Sequence, residues 1–226
     1  MTVLRVGVLG AARIARLFVD SVRGSRKVAV VAVAARESAR AHAFAAELGI
    51  ARVHATYDAL LADPEIDAVY NPLPNNLHAE WSIRAAEAKK HVLCEKPLAM
   101  SGREATAMFA AARSNGVHLV EGYPYRAQPQ TIRLRELLAK DTIGKLHLVQ
   151  AAFGFPLADL ANIRYHRELG GGALMDAGSY PVSFVRMIAG ERPRRASAFA
   201  QLAPTGVDRT LTGLLEFPSG LLAQIS

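Results

Sequence analysis

The chain has 226 residues, 51% of them hydrophobic, which is enough to bury one large core or two smaller ones, so disorder is not the default expectation. Its single cysteine, Cys94, leaves no intramolecular disulfide to form, no stretch has the pattern of a cleaved signal peptide, and no apolar run reaches the ~20 residues that span a bilayer, so a cytoplasmic protein without membrane contact is expected. The net charge of +7 admits acidic partners, but the densest basic group, Arg192, Arg194 and Arg195 beside Pro193, reads as a solvated turn, and the absence of an Arg-clustered helix or aromatic platform argues against nucleic acid.

In chain order, the first half alternates β-branched runs with longer helical stretches, the pattern of successive βαβ units around a parallel sheet. A strand is expected over residues 3–9 and a helix over 13–22, joined by Gly7-Val-Leu-Gly10-Ala-Ala12-Arg-Ile-Ala15. Gly10, Ala12 and Ala15 take the three small-residue positions of a dinucleotide fingerprint: a tight turn, close approach to a pyrophosphate, and close packing of helix on strand. Ala12 stands where glycine is usual, and its methyl group would push the phosphates slightly outward. Gly10, Ala11, Ala12, Arg13 and Ile14 are therefore the expected phosphate neighbours, at a helix N-terminus whose free N–H groups favour negative charge.

A second strand over 28–34 and a helix over 37–48 follow. Where an acidic reader of a ribose 2′-hydroxyl would stand, the chain has Ala34-Ala35-Arg36-Glu37, with Arg40 one turn further on. A guanidinium at Arg36 can stack on adenine and pair with a 2′-phosphate, which favours NADP, while Glu37 leaves NAD open. Strands over 68–71, 91–94 and 117–121 and helices over 76–88 and 102–114, the former capped by Asn75 or Asn76, complete a doubly wound Rossmann domain over residues 1–123.

From residue 124 the text changes. Pro124, Pro129 and Pro156 punctuate it, Gly170, Gly171 and Gly172 form a triplet, and strands are expected over 146–153, 196–201, 210–217 and 221–225, with a helix over 175–188. Residues 124–226 read as an α+β domain on a mostly antiparallel sheet, for substrate binding and oligomerisation. Its last strand stops at Ser226 with nothing to cover its edge, so this domain reads as truncated.

Four segments carry a resemblance. Asn71-Pro-Leu-Pro74-Asn75-Asn76-Leu-His78 and Cys94-Glu95-Lys96-Pro97-Leu98 follow two of the expected strands, and later come Asn162-Ile-Arg164 and Gly170-Gly-Gly-Ala-Leu-Met-Asp176-Ala-Gly-Ser-Tyr180-Pro181. With the opening turn, these resemble the glucose-fructose oxidoreductase and inositol dehydrogenase (Gfo/Idh/MocA) family over almost the whole chain, and most of all its dihydrodiol and xylose dehydrogenase branch, which has Tyr where other branches have His at position 180.

The resemblance implies an NAD(P)-dependent dehydrogenase acting on CH–OH groups of a sugar, polyol or diol. It assigns Lys96 a catalytic role and puts Leu73, Pro74, Asn75, His78, Glu95 and Pro97 beside the cofactor, with a cis peptide before Pro97. Independently, ligands of open parallel sheets bind beyond the carboxyl ends of the strands, where Glu95, Lys96 and Pro97 stand. Tyr180 is the natural proton donor and acceptor for an alcohol and carbonyl pair, and a nearby Lys96 ammonium would favour its phenolate. Asp176, four residues earlier on the same expected helix, either orients Lys96 or meets a substrate hydroxyl. Tyr123, Tyr125, Arg126, Asn162 and Arg164 are the expected substrate neighbours, although Gln128 stands where relatives often have His. No metal-ligand spacing occurs among the His and Cys residues. A non-catalytic NAD(P)-sensing protein on the same scaffold is the alternative, and a homo-oligomer formed through the second sheet is the expected assembly.

Overall fold

The computed structural model describes residues 2–226 and divides into two compact units, Met1–Gly122 and Tyr123–Ser226. In the first, β1 (Leu4–Leu9), β2 (Val28–Ala34), β3 (Arg52–His54), β4 (Ala68–Asn71), β5 (His91–Glu95) and β6 (Leu119–Gly122) form a parallel sheet in the order β3-β2-β1-β4-β5-β6. It is crossed by α1 (Arg13–Val22), α2 (Ser38–Leu48), α3 (Tyr57–Ala62), α4 (His78–Glu87) and α5 (Gly102–Asn115). The strand order reverses between β1 and β4, which makes their carboxyl ends the topological switch point.

Both faces of this sheet are covered, and successive strand residues feed opposite cores. Leu9, Ala32 and Val69 pack with Leu60, Ile66, Val92 and Met108. Val8, Val33 and Tyr70 pack on the other side with Ala15, Phe44 and Leu48. Ala15 is fully buried, so the third fingerprint position does bring α1 close to the sheet.

β3 and α3 were not expected. A three-residue strand is too short to show a period, and α3 is six residues long, though Thr56 caps it by accepting the Ala59 N–H at 3.0 Å. The expected cap at Asn75 or Asn76 is not formed. These residues lie in a 3-10 turn, Asn75–Leu77, and α4 begins at His78 with Leu77 in the cap position.

The second unit contains α6 (Pro129–Ala139), β7 (Leu148–Ala151), α7 (Ser179–Ala189), β8 (Arg195–Leu202), β9 (Asp208–Glu216) and β10 (Leu222–Ile225). α6 was also unexpected. Its opening Pro129 reads as a breaker, yet proline is tolerated in the first helical turn, where its missing N–H would have no partner. The sheet has the order β7-β10-β9-β8 and is mixed: β10 pairs parallel with β7 and antiparallel with β9. This corrects the reading of the last strand as an uncovered edge. β10 is bonded on both sides, and the edges belong to β7 and β8. One face packs Val149, Leu215, Ala223 and Ile225 against α7 through Val185. Just before α7 the chain forms a π turn over Leu174–Gly178, where an ordinary helix from 175 was expected.

Candidate functional site

In the first unit, the β1–α1 turn is built for close approach. Gly10 has φ +95, a region unfavourable to a Cβ, and its N–H donates to the Ala34 carbonyl at 2.7 Å, tying the end of β1 to that of β2. A Cβ there would lie 3.1 Å from Leu73 Cδ2, so the turns after β1 and β4 meet at the switch point. α1 has Ala12 as its N-cap, no side-chain cap and no acidic residue in its first turn, while Arg13 and Ile14 are exposed. A ten-residue helix whose first N–H groups meet no side-chain cap, beside a glycine turn with no side chain, fits a dinucleotide pyrophosphate.

Arg36 and Arg40 are exposed just beyond β2, and Arg40 lies 3.9 Å from Glu37. Tyr57 was not foreseen here. Its hydroxyl would lie 3.8 Å from a Cβ on Gly10 and is bonded to the Arg36 backbone; burial pushes its phenol up, with Arg36 and Arg40 acting the other way. Its ring meets Trp81 edge-on at 4.8 Å. No signal in the sequence links residue 57 to residue 10, because α3 itself was not legible.

Beyond β4, buried Asn71 shapes the next turn by accepting the Leu73 N–H at 3.3 Å and donating to the His78 carbonyl and to Ser82 Oγ. Pro74 and Asn75 are half-buried. His78 corrects the expectation of cofactor contact: it is fully buried, and its two ring nitrogens lie 2.8 Å from the Pro97 and Leu73 carbonyls. Burial pulls its pKa down, and the two carbonyls act against that. It ties the turn after β4 to the turn after β5 from inside the protein, with no surface left for a ligand.

That second turn carries Glu95, Lys96 and Pro97, with a cis Lys96–Pro97 peptide. Glu95 accepts the Tyr70 hydroxyl at 2.6 Å and the Lys96 N–H at 3.3 Å, and Glu121 accepts the Leu98 N–H at 2.9 Å. The loop is thus held at both ends, with Lys96 half-buried between them. Cys94, beneath it, is fully buried and its thiol is pushed up to about 12 by that burial, so it is no nucleophile.

In the second unit, Tyr180 stands in an aromatic enclosure. Tyr123 meets it edge-on at 5.3 Å, Phe153 at 5.2 Å, and Tyr125 lies at 6.2 Å. Tyr123 donates to the Ser179 carbonyl at 3.2 Å and Tyr125 shares a 2.9 Å bond with Ser183 Oγ, so both tyrosines are anchored to the same helix. Tyr123 stands at the boundary and packs with the second unit. Phe153 was expected only as the end of a strand over 146–153; β7 stops at Ala151, and Phe153 lies beyond it against Tyr180.

Asp176, on the π turn, pairs with Arg164 Nε, and Asn162 Oδ1 accepts the Arg164 backbone N–H at 3.1 Å. Arg164 is therefore committed first to Asp176. Arg126 is exposed on a 3-10 turn, Pro124–Ala127. A cavity of about 480 Å³ lies within this unit, with Phe153, Phe155, Tyr165, Arg164, Asp176 and Asp208 in its wall. Aromatic faces beside charged hydrogen-bonding groups suit a polyhydroxylated molecule.

Comparison with known proteins agrees with this division. Residues 4–123 match the family model described as an oxidoreductase family with an NAD-binding Rossmann fold, and residues 131–226 match the GFO/IDH/MocA C-terminal domain. The chain is 42% identical over 221 residues to a D-xylose 1-dehydrogenase (NADP(+)) of Haloferax volcanii, covering 97% of this chain and 67% of the relative. It is 39% identical over 223 residues to a trans-1,2-dihydrobenzene-1,2-diol dehydrogenase of Danio rerio, covering 97% and 66%. Among solved structures, a 3-ketoreductase from Actinomadura kijaniata in complex with NADP and TDP-benzene superposes with a TM-score of 0.90 at 34% identity, over 99% of this chain and 69% of that one. The chain spans about two thirds of the length of these proteins. On the strength of both domain matches and these identities, the chain belongs to the Gfo/Idh/MocA oxidoreductase family.

Proposed function

We propose that the chain transfers a hydride between NADP and a carbinol carbon of a small sugar, polyol or diol, with Tyr180 as general acid and base aided by Lys96. The observation that carries the reading is the held turn of Glu95, Lys96 and Pro97 at the carboxyl end of β5, on the same sheet edge as the Gly10 turn. The names of the relatives support the chemistry: two are dehydrogenases of a sugar and a diol, and one structure is a ketoreductase with NADP.

Bound NADP supplies or accepts the hydride. Gly10, Ala11, Ala12, Arg13 and Ile14 would receive its pyrophosphate on the N-terminus of α1, Arg36 and Arg40 would offer cations to a 2′-phosphate, and Leu73, Pro74 and Asn75 would flank it. NAD remains usable because Glu37 can meet a ribose hydroxyl. In oxidation, Tyr180 takes the hydroxyl proton as the C–H bond gives up its hydride, and in reduction it returns that proton to the new alcohol. The Lys96 ammonium favours the phenolate form of Tyr180 and holds the substrate oxygen. Asp176, oriented by Arg164 and Asn162, accepts a second substrate hydroxyl, while Tyr123, Tyr125 and Arg126 complete the wall. The reading includes a cytoplasmic setting and a homo-oligomer assembled on the second sheet.

The Lys96→Met variant tests it. NADPH binding, followed by the fluorescence of the reduced cofactor, should persist, while turnover falls by 10²–10⁴-fold, the range of lost acid and base assistance. Turnover equal to that of the native protein overturns the reading. Tight NADPH binding with no turnover on pentoses, hexoses, inositols or trans-dihydrodiols moves the chain to the sensing alternative.

A further inference from the structure

The π turn of Asp176 runs on into α7 and Tyr180, and this helical run is preceded by Gly172, whose carbonyl accepts the Asp176 N–H at 3.1 Å. Residue 172, in the place where a capping side chain would stand, has none, and its φ of +119 turns the chain sharply into the helix. The missing cap arrives from another element. Asp208, the first residue of β9, accepts the Leu174 N–H on Oδ2 at 2.6 Å. Its other oxygen, Oδ1, lies so close to Gly172 that a Cβ there would come within 2.3 Å of it.

The opposite side of the segment is equally confined. Gly172 donates to the Arg164 carbonyl and Gly171 to the His166 carbonyl, each at 2.9 Å, and a Cβ on Gly171 would come within 2.4 Å of the Arg164 oxygen. The glycine triplet is thus wedged between the turn that carries Arg164 and the carboxylate of Asp208. A carboxylate at a helix N-terminus gains both a charge-assisted hydrogen bond and a favourable dipole. The first turn leads directly into the π turn, where Ser179 Oγ donates to the Asp176 carbonyl at 2.9 Å. π turns recur at functional sites, and this one has no sequence-local cap to hold it in place.

We infer that Asp208 is a positioning residue: by capping this helix across the gap to β9, it fixes the placement of Asp176 and Tyr180 for proton transfer. The inference rests on the reading of Tyr180 as acid and base. It also accounts for two of the three glycines, since Gly172 makes room for the carboxylate and Gly171 for the Arg164 carbonyl.

Four variants of the full chain test it: Asp208→Asn, which keeps an oxygen acceptor; Asp208→Leu, which keeps the volume without one; Gly172→Ala, which displaces the carboxylate; and Tyr180→Phe. Two readouts are taken, NADPH-dependent turnover and the ultraviolet tyrosinate titration of Tyr180, isolated by difference against Tyr180→Phe. Asp208→Leu and Gly172→Ala should each lower kcat on the order of 10²-fold, as expected for small misplacements of reacting groups, with KM for the cofactor unchanged. Both should also shift the Tyr180 transition, whereas Asp208→Asn stays close to the native protein in kcat and in titration. Native kcat and an unmoved Tyr180 transition in Asp208→Leu overturn the inference, as do equal losses in Asp208→Asn and Asp208→Leu. If Asp208→Leu does not fold, Gly172→Ala against Asp208→Asn gives the same comparison. Full activity in Tyr180→Phe sinks the underlying reading of the reaction instead, and in that case, or if no substrate turns over, the titration alone decides for or against the cap.

Discussion

Arg5 grips Asp67 at three points: its backbone N–H, Nε and Nη2 lie 2.8, 3.0 and 2.7 Å from the carboxylate oxygens. The hydrogen bonds from this guanidinium hold the Asp67 carboxyl at about 2, below its ordinary 3.8. Because the folded value is the lower one, the contribution to stability is complete above 3.8 and is lost as pH falls through about 2. Asp67→Asn should therefore melt below the native protein at neutral pH, with the gap closing across that window in thermal scans; a gap independent of pH contradicts the assignment. His78 shows the same economy inside the first unit, where one imidazole lies 2.8 Å from the carbonyls of two turns. Its residue type was legible in the sequence, but its burial was not.

Elements here are secured more by packing than by their ends. α2 has no side-chain cap, yet it buries Ala41, Phe44, Ala45 and Leu48 against the sheet. Phe44 is 1% exposed, so Phe44→Ala removes a ring from a closed site and should cost about 3–5 kcal/mol, readable as a lower denaturant midpoint with the slope unchanged. A loss below about 0.5 kcal/mol, the range of an ordinary surface change, would show that the cluster collapses around the gap. α7 is the contrary case. The π turn that leads into it has no side-chain cap from nearby sequence, and its Leu174 N–H is met by Asp208, a dependence that periodicity could not reveal.

At the scale of the molecule, the two units treat their sheets differently. The first sheet is covered on both faces. The second is covered by α7 on one face and leaves Phe199, Leu214, Leu222 and Leu148 exposed on the other, with Phe199 at 83%. β8 is exposed along its whole length. An exposed apolar sheet face of this kind marks an interaction surface. If the chain assembles there, the native protein sediments as a multiple of 24.3 kDa and Phe199→Lys as a single copy. A native protein that sediments as one chain rules that assembly out. Among the described residues no helix is long and apolar enough to cross a membrane.

Apart from α6, the order of the long elements was readable from the sequence because their signals are local: β-branched runs, helical periodicity, and small residues at Gly10, Ala12 and Ala15. The motifs around Lys96 and Tyr180 were readable for the same reason, as contiguous text. What the tertiary structure alone decided were pairings between distant residues: β10 inside its sheet, Tyr57 beside Gly10, His78 turned inward, and Asp208 on the Leu174 N–H. Each depends on chain segments brought together by core packing, and no short-range pattern encodes which carboxylate, hydroxyl or imidazole will arrive there.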